Sequence, residues 1–235
     1  MTRVDTSWAR GKAAGAVREG LLFGVFSPLI GAYTTAQVHG REHLAGVEPP
    51  VLFVANHSSH MDTPALLRAI PQPWRRKTAV AAAADYFFEK PWLAHAVSLA
   101  FNTVPVDRKG APGDAAAELV RLLGDGWSIV IFAEGTRSRD GTIGRLHSGA
   151  ALLAAEHDLP MVPVLVSGTH AVMPPGAKWM RRGRERAPIA VHFGPPIRPQ
   201  PGEHRTEMME RVRLFFASRG AATTPDRRVE ARRTA

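Results

Sequence analysis

Residues 55-ANHSSHMDTPAL-66 gather an Asn, two His, two Ser and an Asp directly after an apolar stretch. Three kinds of chemistry use such residues. As metal ligands, His57, His60 and Asp62 suit zinc or iron. The other eight His are scattered singly, however, and no second cluster lies downstream. As a serine nucleophile, Ser58 or Ser59 would need a G-x-S-x-G elbow, which the chain lacks. As a base, His57 stands five residues before Asp62 across a loop-to-helix junction. A tight turn there lets the carboxylate hold one ring nitrogen and leave the other free. That is the His–Asp half of a triad, and it needs no enzymatic serine if the substrate brings its own hydroxyl. A base aimed at a substrate alcohol points to acyl transfer. The plain alternative is a polar loop that caps a helix at Asp62.

Two further groups follow apolar strands. The run 128-SIVIF-132 leads into Glu134-Gly135-Thr136-Arg137. Gly135 permits a sharp turn and close backbone approach, Thr136 offers a hydroxyl, and Arg137 offers a planar fork of donors shaped for phosphate. Arg108, after the strand-like 103-TVPV-106, is a second phosphate candidate that Asp107 can orient. The plain readings are a solvated turn Arg and a surface ion pair.

The elements that must hold these groups alternate. Strands are predicted at 51–55, 78–83, 103–106, 128–132, 161–166 and 189–193. Helices are predicted at 63–70, from Asp85 to Leu99, and at 114–126, 149–157 and 203–218. Apolar strands alternating with helices predict an α/β fold with a mostly parallel central sheet covered by helices on both faces. At 235 residues and 45% hydrophobic composition, the chain can bury a sizeable core. The absence of Cys removes thiol nucleophiles, thiolate metal sites and disulfides, and leaves the compartment open.

The charge of +9 is concentrated. Residues 178–186 (KWMRRGRER) carry five basic residues and one acid, and 219–235 carry five Arg against two acids. Such patches fit an anionic membrane surface or nucleic acid. Only Trp179 interleaves the basic loop, which argues against a nucleic-acid site. No run of about 18 apolar residues is present, so a simple transmembrane helix is not expected. The stretch 21-LLFGVFSPLIGAY-33, preceded by Arg10, Lys12 and Arg18, reads as an interfacial segment. Packing on the domain's own core is the plain alternative, and a signal peptide ending near Thr34-Thr35-Ala36 a weaker one. The expected organisation is a membrane-interface segment over 1–45, an α/β domain over 46–218, and a basic, disordered tail over 219–235. Deleting 1–36 is expected to release the protein from membranes and spare the fold.

In these motifs the chain resembles the glycerolipid acyltransferases, which include 1-acylglycerol-3-phosphate acyltransferases. His57-Ser-Ser-His-Met-Asp62, with Asn56 before it, is similar to the family's H-x4-D block. The segment 104-VPVDR-108 resembles the second block, and 132-FAEGTRS-138 the third, with Ala133 replacing a proline. The strand 162-VPV-164 resembles the fourth. All four occur in the family's order. The resemblance implies transfer from acyl-CoA or acyl-carrier protein to a lysophospholipid hydroxyl at a membrane's cytoplasmic face. The favoured acceptor is 1-acyl-glycerol-3-phosphate, and another acceptor, an amino-acid lipid or a glycolipid, is the rival. His57 is implied as base and Asp62 as its orienting partner. Arg108, Glu134, Gly135, Thr136 and Arg137 are implied as the acceptor site. No metal, bound cofactor or nucleic acid is implied. Where many relatives have Lys after the third block, His147 stands here, a weaker and pH-dependent cation.

Overall fold

Strands buried on both faces need apolar residues in both directions, and β2 (Leu52–Ala55) shows how this chain meets that demand. Leu52 and Val54 join a core with Leu122, Ile129, Met208 and Phe216. Phe53 and Ala55 join the opposite core with Leu66, Leu67, Val164 and Ile189. Every β2 side chain is fully buried. The computed structural model describes residues 4–84, 90–106 and 112–224. Asp107, Arg108 and the tail from 225 lie outside the described residues, as does the expected helix start at Asp85.

The remaining strands are β1 (Thr34–His39), β3 (Thr78–Ala83), β4 (Thr103–Val106), β5 (Ser128–Phe132), β6 (Met161–Ser167) and β7 (Ala187–Phe193). They form one sheet in the order β1-β7-β6-β2-β5-β3-β4. All neighbours are parallel except β6 and β7, which run antiparallel. The expected mostly parallel sheet with helices on both faces is present. Around it lie α1 (Lys12–Tyr33), α2 (Asp62–Ala69), α3 (Gln72–Arg76), α4 (Pro91–Phe101) and α5 (Pro112–Gly124), followed by α6 (Gly149–His157), α7 (Thr169–Val172) and α8 (Arg205–Ser218).

The N-terminal region differs from the expectation in three ways. First, α1 is one continuous helix of 22 residues, long and apolar enough by length and composition to cross a membrane. Its first turns are amphipathic, so a count of consecutive apolar residues misses it. A wider i→i−5 turn over Leu22–Phe26 precedes Pro28 and relieves the clash of its ring with the preceding turn. Second, Thr34-Thr35-Ala36 is the start of β1, paired with Ala187–Ile189, so a cleavage there would cut a sheet strand. Third, α1 is fastened to the domain. Arg18 Nε donates to Leu99 O at 3.1 Å, and Arg75 grips Glu19 through two bonds of 2.7 and 2.8 Å. Leu22 and Ile30 are core residues. Deleting 1–36 therefore removes half of β1 and several buried side chains, Leu22 and Ile30 among them, and the fold should not survive it unharmed.

At the other end, hydrogen bonding to the domain continues past the expected start of the tail. Ala222 and Thr224 still hydrogen-bond to Ile143, beyond the boundary at 219.

Candidate active site

Parallel α/β sheets gather ligands at the carboxyl ends of their strands. Here β2, β5 and β6 are neighbours, and the loops leaving their carboxyl ends converge. Asn56 continues β2 with its side chain. Its Nδ2 donates to Val166 O at 2.9 Å and its Oδ1 accepts from Val166 N–H at 2.8 Å. The amide mimics one more ladder pair and launches the His57 loop from a fixed point.

The loop turns tightly around Asp62, which is fully buried as the first residue of α2. Its Oδ2 accepts from Ser58 N–H at 2.7 Å and Ser59 N–H at 2.8 Å, and meets His57 Nδ1 at 2.9 Å. Its Oδ1 accepts from Thr169 Oγ1 at 2.5 Å. Asp62 is thus no cap for its own helix. Its carboxylate turns back to the preceding loop, where two backbone donors and an imidazole need it, and the helix N-terminus favours its charge. Because an ionised carboxylate only accepts, a neutral His57 ring paired with it has its proton on Nδ1 and its lone pair on Nε2. Nε2 makes no hydrogen bond to the described residues, and the ring stacks on Phe132 with centroids 4.0 Å apart.

The serine reading loses its geometry. Ser59 is fully buried and donates to Met173 O at 2.7 Å, and Ser58 Oγ lies 3.3 Å from Thr169 Oγ1. Neither hydroxyl is bonded to His57. Among the described residues, no three His, Asp or Glu side chains converge as a metal-holding group. His60 lies near Arg137 and His57. Burial first, then the charge of Arg137, pushes its pKa down to about 4.

The loop after β5 folds against His57. Glu134 Oε1 accepts from His57 N–H at 2.8 Å, and its Oε2 accepts from Gly144 N–H at 2.9 Å. Burial raises the pKa of this carboxyl, while both N–H donors oppose the rise. Ser138 N–H donates to His57 O at 2.8 Å, so both backbone groups of His57 are held by the 134–138 segment. Gly135 adopts φ +67°, a left-handed conformation that favours glycine, and His147 packs beside it. Ala133, where relatives have proline, donates its N–H to Ala55 O at 2.8 Å, a bond that proline would lose.

Of the residues expected from the sequence, His57, Asp62, Glu134, Gly135 and Arg137 come together. Thr136 sits in the same turn, while Arg108 lies outside the described residues. Sequence reasoning missed Thr169, Ser138 and Phe132. Thr169 follows Gly168 at φ +82°, where a Cβ would stand 2.1 Å from Pro188 O. A glycine-made corner after β6 is the one local signal that pointed there.

The family model for acyltransferases matches residues 35–167, more than half of the chain. A chloroplastic 1-acyl-sn-glycerol-3-phosphate acyltransferase of Brassica napus is 32% identical over 145 residues, 60% of this chain and 40% of that protein. A probable 1-acyl-sn-glycerol-3-phosphate acyltransferase of Mycoplasma pneumoniae is 29% identical over 154 residues, 63% of this chain and 57% of that one. The chain thus spans about half the length of the relatives it matches. The crystal structure of the 1-acyl-sn-glycerophosphate acyltransferase PlsC from Thermotoga maritima superposes with a TM-score of 0.62 at 22% identity. It covers 91% of this chain and 83% of that one, a likeness of fold. With its ordered motifs, the loop geometry around His57 and the family match over residues 35–167, the chain belongs to the acyltransferase family, among the glycerolipid acyltransferases.

Proposed function

We propose that the protein transfers a fatty acyl group from an acyl thioester, acyl-CoA or acyl-carrier protein, to the free hydroxyl of 1-acyl-glycerol-3-phosphate, giving phosphatidic acid. The observation that carries this reading is the His57–Asp62 pair, with Nδ1 held at 2.9 Å and Nε2 left for a substrate. In this mechanism Nε2 takes the hydroxyl proton as the oxygen attacks the thioester carbonyl. Asp62 stabilises the imidazolium that forms. When the tetrahedral adduct collapses, the C–S bond breaks and the imidazolium returns the proton to the leaving thiolate. No acyl-enzyme is required. Glu134 holds the backbone of the base, while Gly135, Thr136, Arg137 and Arg108 shape and charge the acceptor site. His147, where many relatives have Lys, favours a second reading in which the acceptor is another lipid, an amino-acid lipid or a glycolipid. Assaying the purified protein with labelled acyl-CoA against a panel of lysolipids tests both. Lysophosphatidate should be the best acceptor, and transfer to none of the panel would overturn the reading.

The same proposal puts the protein on a membrane's cytoplasmic face, where acyl thioesters are available. Helix α1 exposes Val17, Phe23 and Val25, and Trp8 and Trp92 are exposed as well. Arg18 and Glu19 are bonded into the domain, so a spanning pose would drag those pins into hydrocarbon. An interfacial pose keeps them. The basic loop 178–186 meets the end of α1, where Trp179 Nε1 donates to Tyr33 Oη at 3.1 Å and Arg186 to Gly31 O at 3.3 Å. With about 1 kcal/mol per basic residue near an anionic surface, neutralising Arg181, Arg182 and Arg184 should weaken binding to anionic vesicles ~100-fold. Added salt should weaken the wild type. Salt-insensitive binding that survives the triple change would place another face on the membrane.

A further inference from the structure

The hydrogen bonds that hold His57 continue far beyond the catalytic loop. Glu134 joins His57 N–H to Gly144 N–H. The neighbour of Gly144 is Ile143, 2% exposed and part of the core. A buried backbone N–H and C=O must find partners. The partners come from the C-terminal segment. Ile143 N–H donates to Ala222 O at 2.8 Å, and Thr224 N–H donates to Ile143 O at 2.9 Å. The segment is itself secured. Ala221 packs on the core cluster, and Arg213, paired with the buried Glu210 of α8, donates to Thr223 Oγ1 at 3.0 Å.

We infer that residues Ala221–Thr224 are a positioning strap for the reaction, acting on His57 through Ile143, Gly144 and Glu134. The strap touches no substrate. It keeps the 139–147 loop in the one arrangement that presents Gly144 N–H to Glu134, and so keeps Glu134 on His57 N–H. Ser138 supports the same arrangement from within the loop, donating through Oγ to Thr142 O at 2.7 Å and through N–H to His57 O. Without the strap, Ile143 has two unpaired backbone groups in the core, and the loop should leave that position. Small displacements of a catalytic base are costly to the rate, up to ~10²-fold for about 1 Å. The inference rests on His57 being the base.

The test compares a chain ended after Gly220, a chain ended after Thr224, and the full chain carrying Thr224→Pro, which removes the N–H. Each is combined with Glu134→Gln. Kinetics are taken well below each variant's melting temperature, with His57→Ala as control. The chain ended after Thr224 should keep its kcat. The shorter chain and Thr224→Pro should lose ~10-fold in kcat with the donor KM unchanged. Neither should lower kcat further once Glu134→Gln is present, because both act along one path. Unchanged kcat in both strap variants, or losses that multiply with Glu134→Gln, would overturn the inference. Equal loss in the chain ended after Thr224 would assign the effect to residues 225–235 and overturn it too. If instead His57→Ala is active, the reading of the base fails and not the strap alone.

Discussion

Replacing His57 by Ala is expected to lower turnover by ~10²–10⁴, the usual contribution of a positioned proton acceptor. The loop geometry is built around this side chain. Its Nδ1 is held by a buried carboxylate, its ring rests on Phe132, and both its backbone groups are bonded to the 134–138 segment. Removing the imidazole should leave the binding constants of both substrates nearly unchanged. Asp62→Asn should be as severe for a second reason. Asp62 accepts from two backbone N–H groups, an imidazole and a hydroxyl, whereas an amide offers one oxygen and one donor group. With its oxygen on the two backbone N–H groups, the amide forces Thr169 Oγ1 to turn and accept and leaves the imidazolium without a counter-charge; flipped, it sets its NH2 against both N–H groups and reverses the favoured imidazole tautomer. Stability should fall with activity, so kcat must be read alongside a melting curve. His60→Ala should be milder. Burial pushes its pKa down to about 4, so His60 is neutral at working pH and has no charge to lose. Equal loss at His57 and His60, restored by added zinc, would turn the assignment to a metal site.

Arg137→Ala is expected to raise the acceptor KM strongly while barely changing that of the donor. A phosphate monoester carries a charge near −2, and cations must meet that charge as it leaves water. Losing one partner of a buried, hydrogen-bonded charge pair costs ~2–5 kcal/mol, and less where water enters. Arg137 lies close enough to the His57 loop for its charge to add to burial, the larger cause, in lowering the pKa of His60. Arg137→Lys should recover part of the loss, because it restores charge without the planar fork. Arg108 is the second candidate, and its replacement should act in the same direction. If the natural acceptor is neutral or zwitterionic, the Arg137 change should cost little, and lysophosphatidate should be a poor substrate for the wild type. Acceptor kinetics for the wild type and both Ala variants, on lysophosphatidate and a headgroup-bearing lysolipid, separate these outcomes. An unchanged acceptor KM in both variants would remove the ground for naming lysophosphatidate.

Much of the fold could be read from local pattern, because each central strand is a short apolar run between turn residues. The runs at 51–55, 128–132 and 161–166 became β2, β5 and β6, the three strands whose ends carry the site. The edge strand β1 could not be read this way. In TTAQVH only one position is fully buried, so its sequence resembles a linker until β7 pairs with it. For the same reason residues 1–45 resemble an appendage, although α1 and β1 belong to the domain's packing. Amphipathic turns and a mid-helix Pro hid the true length of α1.

The sequence by itself determined that His57 and Asp62 pair, because they are close in the chain and a tight turn suffices to join them. It also determined that the 134–137 turn lies at a strand end, since β5 is strongly apolar and stops at Phe132. Only the tertiary structure decided what surrounds the pair. Glu134 reaches His57 across 77 residues, Thr169 reaches Asp62 across 107, and Asn56 pairs with Val166 across 110. Those contacts depend on β2 lying between β5 and β6. Strand order is set by how whole strands and helices pack on both faces, and no local spacing encodes it.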